Sequence, residues 1–103
     1  MSFVGEKHEA FELTSSGEVI AGVTNKRLAI FAIKLTCSAA LTVKWQCGGV
    51  DLEGGQSYPA TGGYVEFVTP PSYLFRCAYG SALSLNIVGT GTAAGRVSYY
   101  LED

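Results

Sequence analysis

Lys26-Arg27-Leu28-Ala29-Ile30-Phe31-Ala32-Ile33-Lys34-Leu35-Thr36-Cys37 is the stretch that decides the fold class. It is dense in β-branched, aromatic and other apolar residues, which suit a pleated, half-buried surface. Counted by twos, Ala29, Phe31, Ile33 and Leu35 share one face, while Leu28, Ile30 and Ala32 share the other. Both faces are apolar, so the strand should be covered on both sides. In a thin two-sheet domain the second cover is expected from the N-terminal segment or from another subunit. Residues 41–47 alternate more cleanly. Leu41, Val43, Trp45 and Cys47 point one way, and Thr42, Lys44 and Gln46 point the other, as in a strand with one buried and one wet face. Ser38-Ala39-Ala40 is short enough to join the two strands as an antiparallel hairpin.

Shorter strands are expected over residues 18–23, 64–68, 73–78, 82–88 and 95–101. In the last two, Leu83, Leu85 and Ile87, and then Val97, Tyr99 and Leu101, line one face. Residues 48–63 read as a loop punctuated by Gly48-Gly49, Gly54-Gly55, Pro59 and Gly62-Gly63, with Val50-Asp51-Leu52 as a short edge segment. Six to eight short strands with regular turns predict an all-β, single-domain antiparallel β-sandwich; a jelly roll and a small barrel are the variants left open. Residues 1–16 read as an N-terminal arm and residues 17–103 as the β domain. The arm contains the one helix-like stretch, residues 6–13, and ends in the turn-prone Thr14-Ser15-Ser16-Gly17.

Composition bounds the function. A chain of 103 residues suits one domain, and buries roughly 60–65% of its unfolded surface. Hydrophobic residues make up 48% and charged residues 16%, against about 25% charged in ordinary globular chains. Part of the folded surface is therefore expected to be apolar or covered by a partner. The net charge of −2 argues against nucleic acid, which requires a basic stripe. The one basic cluster, Lys26-Arg27, reads as a solvated start to a strand. No apolar segment is long enough for a signal peptide or a membrane span, so synthesis in a cytoplasm is expected and neither membrane nor export enters the reading.

No constellation of catalytic residues stands out, and no enzymatic role, metal or cofactor is expected. The sole histidine, His8, lies in the arm between Glu6 and Glu9. One histidine cannot build a multi-histidine metal site, and a Ser–His–acid site would have to recruit the arm into a pocket. The close carboxylate pairs Asp51/Glu53 and Glu102/Asp103 read as solvated. Gly89-Thr90-Gly91-Thr92-Ala93-Ala94-Gly95 resembles a dinucleotide fingerprint only in part, because a strand, and not a helix, follows it. Cys37, Cys47 and Cys77 match neither a zinc nor a CxxC spacing. They are expected as buried small hydrophobes. A Cys37–Cys47 bridge would need neighbouring strands and an oxidising compartment. Tyr58, Tyr64, Tyr73, Tyr79 and Tyr100 are candidates for exposed aromatic surface, suited to a protein interface first and a sugar site second.

From Asn25 onward the chain resembles small structural proteins of tailed-phage virions. The resemblance is carried by the basic start and long apolar strand at residues 26–35, and by Ala40-Leu41-Thr42-Val43-Lys44-Trp45-Gln46-Cys47-Gly48-Gly49. It continues through Gly62-Gly63-Tyr64-Val65-Glu66-Phe67, residues 76–87 with Gly80-Ser81-Ala82-Leu83-Ser84-Leu85, and Gly95-Arg96-Val97-Ser98-Tyr99. It covers about three quarters of the chain. It implies a virion-located capsid decoration or cement protein, a dimer or trimer that contacts itself and the major capsid protein. A short arm with widely spaced apolar residues cannot build a core of its own, so Phe3, Val4, Phe11 and Leu13 of the arm are the first candidate contacts. Tyr73, Phe75, Tyr99 and Tyr100 are the second. Such an arm predicts that a chain lacking residues 1–13 keeps its β fold but no longer binds the shell. Two alternatives remain: a carbohydrate-binding, lectin-like sandwich, and a tail, neck or baseplate component of the same fold.

Overall fold

The alternation at Leu41–Cys47 produces the most regular strand in the structure, a computed structural model that describes residues 6–103. Leu41, Val43, Trp45 and Cys47 are buried, and the residues between them are partly open to solvent. In chain order the strands are β1 (Lys7–Leu13), β2 (Gly17–Ile20), β3 (Arg27–Cys37), β4 (Leu41–Cys47), β5 (Val50–Asp51), β6 (Gln56–Tyr58), β7 (Gly63–Phe67), β8 (Phe75–Arg76), β9 (Leu83–Val88) and β10 (Ala93–Glu102). No helix occurs among the described residues. The first sheet runs β1-β10-β3-β7, with β8 also paired to β3. The second runs β2-β9-β4-β5, with β6 also paired to β4. Every pairing is antiparallel. The two sheets bury one core, which includes Leu28, Ile33 and Leu35 from the first and Val43, Trp45 and Leu85 from the second. The fold is an all-β sandwich. Each large aliphatic side chain fully buried there contributes about 1.5–3 kcal/mol.

The expected hairpin between β3 and β4 does not form. The two strands lie in different sheets, and residues 38–40 carry the chain across the sandwich. Residues 89–92 make a second crossing beside the first, from β9 to β10. The two crossings hold each other: the Ser38 N–H donates to the Thr92 carbonyl at 2.8 Å, and the Thr92 N–H donates to Ser38 Oγ at 2.8 Å. Gly89 sits at φ 120°, where an added Cβ would lie 3.0 Å from the Ala40 carbonyl oxygen. A three-residue connection fits an arch as well as a hairpin, so its length alone does not separate the two.

The two-by-two count along β3 breaks at Phe31. Opposite β10, Ser98 pairs with Ala32 and Tyr99 pairs with Ile30, which leaves Phe31 as an extra residue. Such a bulge shifts the alternation by one. Leu28 and Ile30 before it, and Ile33, Leu35 and Cys37 after it, therefore all face the core. Ala29, Phe31 and Ala32 face outward and form a second small cluster with Tyr100 and Val68. The cover over this outer cluster comes from the chain itself, from residues 68–71 and, in part, from His8 of the expected arm, whose ring meets Phe31 edge-on at 6.4 Å between centroids. The Val68 N–H donates to the Phe31 carbonyl, and the Tyr100 hydroxyl donates to the Pro71 carbonyl.

The expected arm is, from Lys7 onward, strand β1 on the edge of the first sheet, paired with β10 from Lys7↔Tyr99 to Leu13↔Ala93. Phe11 is buried and meets Trp45 edge-on at 5.7 Å between ring centroids. Two apolar side chains spaced two apart suffice for a strand whose outer face stays polar. The cysteine expectation is also corrected. Cys47 of β4 and Cys77, just past β8, form a disulfide with Cα atoms 5.3 Å apart, and so tie the two sheets together. Cys37 is a free, buried thiol, and burial raises its pKa.

Candidate assembly edge and an aromatic hollow

The contact residues expected from the sequence do not gather into one surface. Phe3 and Val4 lie outside the described residues. Phe11 belongs to the core, and Leu13, Phe75 and Tyr99 pack against it half-buried. Tyr100 fills the outer cluster beneath residues 68–71. Of these six, Tyr73 alone is open to solvent, and Arg76 lies 4.1 Å from its ring centre.

The adjacent pair of open apolar side chains lies on β7; Val50 and Val88 are also exposed, but stand at opposite ends of β4 in the second sheet. Val65 is 68% exposed and Phe67 is 74% exposed, side by side on the outer face of the first sheet. They stand opposite Lys34 and Ala32 of β3. Backbone bonding fixes which groups of β7 remain free. The Val68 N–H bonds to the Phe31 carbonyl and the Cys37 N–H bonds to the Gly62 carbonyl. In an antiparallel pair the bonded residues alternate, so Tyr64 and Glu66 also turn their N–H and C=O groups to β3. Gly63, Val65 and Phe67 turn theirs away from the sheet. An added Cβ at Gly63 would lie 1.9 Å from the Leu35 carbonyl oxygen, so glycine is required at that end of the edge.

On the other side of β7 the alternate side chains form a hollow of about 420 Å³, lined by Glu53, Gln56, Tyr58, Tyr64, Val65 and Glu66. The Tyr58 and Tyr64 rings stack with centroids 5.7 Å apart. Trp45 Nε1 donates to the Tyr64 hydroxyl at 2.7 Å, which links the hollow to the core. Burial pushes the Tyr64 phenol well above its ordinary range, so it stays protonated. Glu53 is also raised, first by burial and then by the nearby Glu66 charge, against an opposing hydrogen bond from the Trp45 backbone. Its neighbour in sequence, Asp51, shifts the other way: hydrogen bonds from Gln46 and Lys44 hold its carboxyl below the ordinary range.

The remaining charged residues singled out from the sequence are largely accounted for by structural contacts. Glu102 accepts from Arg27 Nε at 3.4 Å and from Arg76 Nη2 at 3.0 Å, and Lys26 pairs with Asp103. The Lys26-Arg27 cluster thus anchors the C-terminal end of β10 and is not merely solvated. His8 Nδ1 lies 2.6 Å from Ser98 Oγ, and Nε2 lies 3.5 Å from the Glu6 carboxylate. This resembles a triad in composition. Ser98, however, is buried in the middle of β10 between β1 and β3, with its neighbours' backbones on both sides. The contact is best read as a clasp of β1 onto its sheet.

Reasoning from the sequence missed both the edge and the hollow. The sequence marks a strand at residues 64–68 with one charge, but nothing in the chain marks it as unpartnered. The hollow depends on Tyr58 of β6 stacking on Tyr64 of β7, a contact between the two sheets that periodicity does not encode. Comparison of the chain with protein-family models, with curated proteins and with solved structures finds no match.

Proposed function

We propose that this chain is a non-enzymatic structural protein of a tailed-phage virion that decorates or cements the capsid by burying its own surface against neighbours. The observation that carries the reading is the exposed pair Val65 and Phe67 on a free sheet edge. Contiguous exposed apolar surface of this kind commonly marks an interaction site. Low charge, at 16% of residues, points the same way. So does the Cys47–Cys77 bond, because disulfides persist in oxidising settings such as extracellular particles. The contact surface proposed now is the β7 side of the first sheet, in place of the N-terminal residues. Repeated on a symmetric shell, many modest contacts sum to firm attachment. The test uses particles of the phage or prophage carrying this reading frame, produced with the gene deleted. Purified chain added back should co-sediment with them to a saturating, stoichiometric level. Failure to bind these particles at any concentration overturns the reading.

The hollow favours a second reading, a carbohydrate-binding module. Aromatic rings beside two carboxylates and an amide offer a sugar an apolar ring surface and hydrogen-bond acceptors. Titration with a glycan panel, followed through the Tyr58 and Tyr64 ring resonances, should show saturable shifts if this reading holds, and none if it fails.

A further inference from the structure

We infer that β7 pairs with β7 of a second copy of this chain, antiparallel and about a two-fold axis at Val65, to form one continuous sheet across a dimer. The inference deepens the assembly reading above by naming the contact, and it rests on that reading for its biological role but not for its geometry.

The sandwich has few edges, and they differ. In the first sheet β1 is long, but Lys7, Glu9 and Glu12 punctuate it with charge. In the second sheet the outer strands are short: β2 has four residues, β5 two and β6 three. Short or charged edges are the usual protection against strand addition. β7 has five residues, no proline or lysine, and an unbroken register with β3. Its one charge, Glu66, points toward the hollow and not across the outer face.

The free groups of β7 are self-complementary. A two-fold axis at Val65 sets Val65 opposite the partner's Val65, Gly63 opposite the partner's Phe67, and Phe67 opposite the partner's Gly63. Those are the residues whose N–H and C=O groups turn away from β3. Each of the three becomes a reciprocally bonded pair, with two hydrogen bonds apiece. Among the described residues these backbone groups have no other hydrogen-bond partner. An axis at Tyr64 or Glu66 would pair only two of the three within β7, and an axis midway between two residues would set free groups against bonded ones.

Side chains agree with the same register. Phe67 would lie over the partner's Gly63, where the missing side chain leaves room for a ring, a pairing that stabilises edge glycines. The two Val65 side chains would meet on the outer face, and with both Phe67 rings would form one apolar ridge. Glu66 would stand opposite the partner's Tyr64, so the two Glu66 carboxylates would not oppose each other directly.

Val65→Pro and Phe67→Lys test the contact. Proline at position 65 removes an N–H that β3 does not use, so the β3–β7 ladder can persist. Lysine at 67 places a charge on an exposed position. Sedimentation velocity over a concentration series, with amide hydrogen exchange read by NMR, measures association and its site together. The wild type should dimerise, and the Gly63, Val65 and Phe67 amides should slow as concentration rises, while Tyr64 and Glu66 stay protected throughout. Both variants should keep the wild-type far-ultraviolet spectrum and stay monomeric. A wild type that is monomeric at every concentration overturns the inference, as does a Val65→Pro chain that dimerises like the wild type. A chain that dimerises in this way but fails to bind particles would sink only the virion reading. A chain that binds particles as a monomer would sink only the dimer.

Discussion

Removing the Cys47–Cys77 bond should cost this domain a large part of its stability. The bond links β4 of one sheet to the segment after β8 of the other, with its ends 30 positions apart in sequence. In the chain-entropy model a closed loop of that length restricts the unfolded state by about 3.5–4 kcal/mol. That compares with a total of about 5–15 kcal/mol for a typical domain. A Cys47→Ala/Cys77→Ala double variant should therefore melt about 15 °C or more below the wild type, since 1 kcal/mol is worth roughly 4–8 °C at this size. Denaturant unfolding gives the free energy, and unfolding of the wild type in reductant should fall to the level of the double variant. Alkylation of the unfolded, unreduced chain should label Cys37 alone, the one cysteine outside the bond. A double variant within about 1 kcal/mol of the wild type would refute the reasoning, as would labelling of all three thiols.

Three further outcomes follow from the packing. Phe11→Ala should lose about 3–5 kcal/mol in denaturant unfolding, because the ring is buried against Trp45; truncation of residues 1–13 should likewise unfold the domain, and a fully stable truncated chain would show that β1 is dispensable. Tyr64→Phe should cost about 1–2 kcal/mol for the lost indole–phenol hydrogen bond, and Trp45→Phe should cost more, because the indole is fully buried and its loss also leaves a void; the double variant should cost less than their sum, and strict additivity would show that the two do not interact. Glu53 has a raised pKa in the fold, so its protonated form is favoured there and its contribution to stability falls as pH rises from the ordinary value of 4.5 upward through the folded value. Glu53→Gln should therefore stabilise the chain at neutral pH and remove that part of the pH slope, and an unchanged slope between the two proteins would contradict the assignment.

Local alternation was a good guide wherever a strand had one wet face. Residues 41–47 were read with the bounds that β4 has, and Leu83, Leu85 and Val97 face the core as counted. The count failed where one extra residue entered a strand. Leu28, Ile30, Ile33, Leu35 and Cys37 follow the rhythm of a bulged strand, but a strict period of two divides them between faces. β1 is hidden because only Phe11 and Leu13 are large and apolar, and its identity depends on β10, eighty or more residues away in sequence. The disulfide was hidden for a similar reason: Cys47 and Cys77 meet only once the two sheets stack. The hollow was legible only as a list of tyrosines, and Tyr58 and Tyr64 were named without their partners. Of the eight expected contact residues, the core or the outer cluster claims five, because a residue type that suits an interface also suits a core.

Copy number per particle tests the assembly reading most directly. Under that reading a phage or prophage carries this chain, and quantitative mass spectrometry of its purified virions gives the ratio of the chain to the major capsid protein. A ratio near one, or a simple fraction of it, is the predicted result and would identify the symmetry position that the chain occupies. Absence of the chain from the particles would contradict the reading.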